Sequence, residues 1–182
     1  MLTLVVARYN EDLSWLSLVR GANIVVVNKS AIGNTGREAS SYLWFIVKHW
    51  PYLDGDYVFC QGDPLAHCPD FLEAIHTERR TFGPIVECDL TGAPHHPGLR
   101  IGDFADAANL TQPLVRLAVA DAPLQFVSGA QFKRSAAEIK FRPRFFYEKL
   151  WQLCDHFPDG PWIMERLWGY AIPEHRTSKQ ST

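Results

Sequence analysis

The sequence lacks the paired cysteines that would organise a zinc module or a disulfide framework. Its four cysteines, Cys60, Cys68, Cys88 and Cys154, form no CxxC pair and no metal-ligand spacing, so reduced, mostly buried thiols are expected. Long hydrophobic runs are missing too: nothing approaches the roughly 18 unbroken apolar residues of a membrane span. Residues 1–6 are too short for the hydrophobic region of a signal peptide and carry no small-residue cleavage site, so the expectation is a soluble, cytoplasmic protein. Basic runs are absent as well. With Lys and Arg dispersed and a formal charge of -2, the chain has no electrostatic footprint for nucleic acid. No internal repeat is visible.

What is present is a large apolar and aromatic complement. With 182 residues, 47% of them hydrophobic, and six Trp and eleven Phe, the chain has the material for one well-buried core. Residues 1–172 read as a single domain and residues 173–182, in EHRTSKQST, as a polar tail. LTLVVARY (2–9), NIVVVNK (23–29) and DYVFCQ (56–61) are continuous apolar runs, the pattern of strands covered on both faces. Between them, NEDLSWLSLV (10–19) predicts a short helix capped by Asn10 or Asp12 and stopped by Gly21. NTGREASSYLWFIVKHW (34–50) predicts a long helix opened by the capping-box pair Thr35 and Glu38 and ended by Pro51. Strands alternating with helices imply a parallel sheet with crossover helices, an α/β layer architecture.

PDFLEAIHTERR (69–80) predicts a further helix. From 81 to 123 the pattern loosens into loop clusters, TGAPHHPG and DFADAANLTQP, with short strands expected at PIVECD and LRIGDF. So long a loop region marks a candidate lid or substrate-facing surface. LQFVSGAQFKRS (124–135) predicts a strand broken at Ser128 and Gly129. Ser135 and Glu138 form a second capping-box pair. PRFFYEKLWQLC (143–154), with Pro143 at its first turn, and PWIMERLWGYAI (161–172) are the last two helices.

In an open α/β sheet, ligands bind beyond the carboxyl ends of the strands. Three such ends are polar here: Arg8, Tyr9, Asn10, Glu11 and Asp12 after the first, Asn28 and Lys29 after the second, and Gln61, Gly62, Asp63 and His67 after the third. Each has a plain alternative. Asn10 and Asp12 suit helix capping, Asp63 suits a turn in which it bonds nearby amides, and His67 suits a surface or core position. Arg37, just inside a helix start, is either a solvated first-turn residue or a pyrophosphate contact, because a helix amino end favours anions. Glu165 lies on a narrow polar strip between Ile163, Met164, Leu167, Trp168 and Tyr170, so it faces either a cleft or a buried partner such as Arg166. In a cleft, burial would raise its proton affinity and suit it to general-base work. Asp89, His95, His96 and Asp103 remain unassigned.

Taken together, YNE (9–11), the NxGxxxA pattern of Asn34, Gly36 and Ala39, a hydrophobic strand ending at Asp63, SGAQFKRSAAEI (128–139) and ERLWGY (165–170) resemble the nucleotide-sugar half of GT-A-type glycosyltransferases. VVARYNED, GREA, QGDP, FVSGAQF, FYEKL and ERLWGY also look like an uncharacterised bacterial and fungal family known as a domain of unknown function. The resemblance implies a GT-A-like three-layer sandwich with a mainly parallel central sheet. It implies a glycosyltransferase-like protein that binds a nucleotide sugar and transfers the sugar to an unknown acceptor. Arg8, Tyr9, Asn10, Glu11, Asn28 and Arg37 would contact the nucleotide, and Asp63 with His67 a divalent cation, Mn or Mg, that assists the leaving group. Asp63 and Glu165 would be catalytic. Gln61 stands where such enzymes carry the first of two acids. Two other readings stay open: a non-catalytic sugar- or nucleotide-binding module, and a metal-dependent hydrolase using Asp63 with His67 or the His95 and His96 pair.

Overall fold

A strand that is apolar on both faces needs cover on both sides, and the architecture follows from that need. The computed structural model describes residues 1–32, 36–110 and 122–174. The chain runs through strand β1 (Leu2–Arg8), a 3₁₀ turn (Ser14–Leu18), strand β2 (Ala22–Asn28), the single turn α1 (Lys29–Ile32) and the helix α2 (Arg37–His49). A second 3₁₀ turn (Trp50–Tyr52) leads to β3 (Asp56–Gln61), α3 (Phe71–Ala74), β4 (Ile85–Cys88) and α4 (Ile101–Ala107). Further on come β5 (Leu124–Val127), β6 (Phe132–Ser135), α5 (Ala136–Lys140), α6 (Arg144–His156) and α7 (Gly160–Ala171). Among the described residues no helix is long and apolar enough to cross a membrane.

The main sheet has the order β2-β1-β3-β6. β1 is parallel to both neighbours, pairing Arg8 with Asn28 and Ala7 with Gln61, whereas β6 runs antiparallel and pairs Phe132 with Phe59. This register sets the carboxyl ends of β1, β2 and β3 and the entry to β6 along one rim. Successive side chains of a strand point to opposite faces, and the core divides accordingly. Leu4, Val6, Val58 and Cys60 pack with Trp15, Phe71, Ile75 and Phe82 on one face. Val5, Ala7, Tyr57 and Phe59 pack on the other against α2, α6 and α7 through Tyr42, Ile46, Tyr147 and Leu167. Full burial of such side chains contributes roughly 1.5–3 kcal/mol each. The expected mixed α/β architecture, with a mostly parallel sheet, is therefore observed. All four cysteines are free and buried.

Several local expectations are corrected. β2 is an edge strand, not one covered on both faces: Val25 and Val27 face the α2 side, while Ile24 and Val26 stay exposed. The expected helix over 10–19 is a 3₁₀ turn, with Asp12 rather than Asn10 at its start, accepting from the Ser14 amide at 2.9 Å and the Ser14 hydroxyl at 2.8 Å. The helix expected over 69–80 is confined to Phe71–Ala74. It stops there because Lys133 Nζ takes the Ile75 and Thr77 carbonyls, and the Thr77 hydroxyl bonds back to Ala74 O.

LRIGDF is not a strand. Ile101, Phe104 and Ala105, at helical spacing, form the buried face of α4. The strand expected over 124–135 is two strands in different sheets, since β5 pairs with β4 in a separate antiparallel ladder. The crossing is made at Gly129, whose φ of +87° is available to glycine at little cost. The Ser135 and Glu138 capping box is present as expected. Asn34 and Thr35 lie outside the described residues, and the N-cap position of α2 is Gly36, which makes no side-chain cap bond. Of the expected tail, residues 175–182 lie outside the described residues, while Glu174 pairs with buried Arg134 at 3.3 Å.

Candidate functional site

The rim carries two adjoining polar groups. In the first, the turn after β1 folds onto the end of β3. Arg8 donates from Nε to the Glu11 carbonyl at 3.2 Å and reaches Asn28 Oδ1 at 3.5 Å across the β1–β2 pair. The Glu11 carboxylate accepts from the Tyr9 amide at 2.6 Å and lies directly on Gly62. A Cβ at that glycine would stand 2.6 Å from Glu11 Oε2, so the close approach requires glycine. Trp15 fixes the same residue from below, donating its indole N–H to Gly62 O at 2.8 Å. Burial alone would raise the Glu11 pKa. Hydrogen bonds from the backbone of Tyr9, Glu11 and Asn10, with the positive charge of Lys29, outweigh it and hold the carboxyl below its ordinary value. Tyr9, Asn10 and Asn28 are exposed beside it, and so is Asp63. Asp63 accepts no hydrogen bond among the described residues, so it is not consumed by its turn.

The second group surrounds a cavity of about 290 Å³ whose lining includes Arg37, Gln61, His67, His96, Glu165 and Arg166. Three hydrogen-bonded residues form one side. Gln61 Nε2 donates to Gly129 O at 2.9 Å, and the Gly129 amide donates to Glu165 Oε1 at 2.7 Å. The His67 ring packs against Gly129, where an added Cβ would meet Cγ and Cδ2 at 2.9 Å. The other side is built on Trp162. The Arg37 guanidinium lies 4.1 Å from its ring centroid, and the His96 ring stacks on it at 5.1 Å and 22°. Arg37 holds a left-handed φ of 49° at the first residue of α2, a strained geometry for a non-glycine residue.

Charge alternates through this group. Lys29 and Glu38, both buried, stand 3.8 Å apart, and Arg37 is also 3.8 Å from Glu38. Glu165 lies 3.5 Å from Arg166. Burial pushes the Glu165 pKa up, with Glu38 adding to the rise and the Gly129 amide, Arg166 and Arg37 opposing it. Both alternatives raised for Glu165 are thus met at once: it faces a cleft and it is paired. A further cavity of about 380 Å³, lined by Phe126, Arg134, Trp168 and Tyr170 among others, also has Glu165 in its wall.

Arg37, His67 and Glu165 are therefore brought together, with Arg8, Tyr9, Asn10, Glu11 and Asn28 on the adjoining stretch of rim. Asp63 is at the rim but does not line the cavity that His67 lines. Gln61 has its amide engaged with Gly129. Among the described residues no three His, Cys, Asp or Glu gather as a metal-binding group. Sequence reasoning missed Glu38, Trp162 and the cavity role of Arg166, and left His95 and His96 unassigned although both line the cavity. The PHHP run between two prolines was the available signal for the histidines. Asp89 instead holds its own loop, accepting from the Thr91 and Ala93 amides, and Asp103 is an exposed first-turn residue of α4.

The fold and rim define an α/β protein with a polar cavity at the carboxyl ends of its parallel strands. No family model, curated protein or solved structure matches the chain.

Proposed function

We propose that the protein binds a nucleotide-activated sugar along this rim and transfers the sugar, as a GT-A-like glycosyltransferase would. The observation that carries the proposal is the seating of Glu11 on Gly62. It puts the YNE turn and the end of β3 side by side, next to a cavity large enough for part of a small ligand. The mostly parallel sheet, covered on both faces at β1 and β3, fits a three-layer sandwich of that kind. In this reading Tyr9 offers a face for the base, and Asn10, Glu11 and Asn28 offer acceptors for ribose hydroxyls, with Arg8 holding the turn in place. Arg37, at the amino end of α2, meets the phosphates. Glu165, made more basic by burial and exposed to both cavities, accepts the proton of an acceptor hydroxyl held in the larger one. Asp63 is the open carboxylate for a divalent cation, but no step is assigned to a cation.

The engagement of Gln61 with Gly129 favours one alternative, a binding module that uses the same cavity without turnover. A thermal-shift screen of nucleotide sugars, with and without manganese, tests the proposal. A ligand at 100 times its Kd stabilises the native state by about 2.7 kcal/mol, so a matching donor raises Tm and Tyr9→Ala reduces the rise. If no nucleotide sugar shifts Tm under either condition, the proposal fails. Release of nucleoside diphosphate that Glu165→Gln abolishes identifies the enzyme, and binding without release identifies the module.

A further inference from the structure

The cavity wall contains a guanidinium with unmet bonding capacity. The Arg166 side chain is 3% exposed. Its Nη1 donates to Trp162 O at 2.8 Å, its Cζ lies 4.5 Å from the Phe126 ring, and its Nε has no partner. The guanidinium is charge-paired with Glu165 at 3.5 Å, but the buried Nε–H is a donor left unsatisfied, which is costly, and an anion is a ligand that would satisfy it. The neighbouring groups agree. Arg37 is held over Trp162 beside His96, and His67, which makes no side-chain hydrogen bond among the described residues, lines the same space. The two carboxylates here are already matched, Glu38 by Lys29 and Arg37, and Glu165 by the Gly129 amide and Arg166. In the lining Arg37 and Arg166 stand against Glu38 and Glu165, and the groups left open to an anion are the Arg166 Nε–H and the imidazoles of His67, His95 and His96.

We propose that this cavity binds a phosphoryl group directly through Arg37, Arg166, His67 and His96, with no divalent cation between protein and phosphate. Cationic side chains fixed around a diphosphate can stabilise the charge it develops on leaving. The inference rests on the nucleotide-sugar reading only in naming that diphosphate as part of a sugar nucleotide.

The test is calorimetric titration of the full chain with inorganic pyrophosphate and with uridine diphosphate in EDTA, then in manganese. Binding in EDTA is expected, weakened about tenfold or more by Arg37→Ala and by His96→Ala, the loss of one charged hydrogen bond. Both side chains reach solvent, and circular dichroism checks that the variants fold. If pyrophosphate binds in EDTA but no nucleotide sugar binds, the phosphate site stands and the sugar reading falls. If nucleotide sugars bind only with manganese and lose affinity in Asp63→Ala, the sugar reading stands and the cation-free site is overturned. Binding in EDTA that both substitutions leave unchanged also overturns it.

Discussion

Replacing Lys29 tests whether the rim is held by its buried charges. Lys29 and Glu38 are 6% and 7% exposed, and their charged atoms stand 3.8 Å apart. At an effective dielectric constant near 20 that separation corresponds to about 4 kcal/mol of attraction. Much of it offsets desolvation, but removing one partner leaves the other buried and uncompensated, which typically costs roughly 3–5 kcal/mol. Arg37 also stands 3.8 Å from Glu38, with its own side chain 47% exposed, so part of the compensation survives. Lys29→Met should therefore cost about 3 kcal/mol, at the lower end of that range. The double variant Lys29→Met with Glu38→Met, which buries two apolar side chains instead, should come within about 1 kcal/mol of the parent.

Urea unfolding followed by tryptophan fluorescence gives all four corners of the cycle, and because the double variant is expected to lose less than either single one, a coupling energy of about 3 kcal/mol or more is expected. A coupling near zero, with the single variant losing under about 1 kcal/mol, would refute the claim that this pair holds the rim. Lys29 does not line the cavity, so weaker pyrophosphate binding in Lys29→Met would mark it as a positioning residue acting through Glu38 and Arg37.

Two further outcomes follow from buried titratable groups. Because the folded-state pKa of Glu165 is raised, its contribution favours folding below the ordinary carboxylate pKa and is lost as pH rises through the raised value. Glu165→Gln, whose amide oxygen can still accept from Gly129, should thus gain Tm relative to the parent at pH 7.5 and lose that gain near pH 4; a gain larger at pH 4 would contradict the assignment. Burial pushes the Cys60 and Cys154 thiols far up, and burial with a hydrogen bond to Asp70 pushes Cys68 up to about 11. Burial also raises Cys88, against the pull of Arg166. All four should resist a disulfide reagent at pH 8 in the native protein and react together in denaturant; one fast native thiol would show a buried position wrongly described.

How far the sequence could be read depended on whether a signal was local. Tyr57, Val58, Phe59 and Cys60 are apolar in succession, and such a run demands cover on both faces, which β3 has. The triplet Val25, Val26 and Val27 carries the same signal, yet Val26 is exposed because β2 is at the sheet edge. Strand order is a property of the assembled sheet, not of the strand. The helix α4 was hidden because one buried face of Ile101, Phe104 and Ala105 is too short a periodic signal to stand out among turn residues. Capping at Ser135 was legible because both of its partners lie within one helical turn.

The site divides the same way. Residues that follow strands were found by a general rule of parallel sheets, and Arg8, Glu11, Asn28 and Gln61 do share the rim. His96 and Arg166 were named only as one of a histidine pair and as a partner for Glu165, and their meeting with Trp162 was not found, because nothing local brings the loop before α4 onto α7. Their meeting gives the rim a direction. Glu11, Lys29, Glu38 and Arg37 alternate in sign, with Lys29 acting on both carboxylates, so the middle of the rim is balanced and offers a ligand little net field. The YNE end is left with exposed Tyr9 and Asn10, while the cavity end carries Arg37, Arg166 with its open Nε–H, and three imidazoles. For the proposed sugar nucleotide this arrangement favours phosphates toward the cavity and base toward Tyr9. In that orientation the group beyond the phosphates would approach Glu165, which lines both cavities.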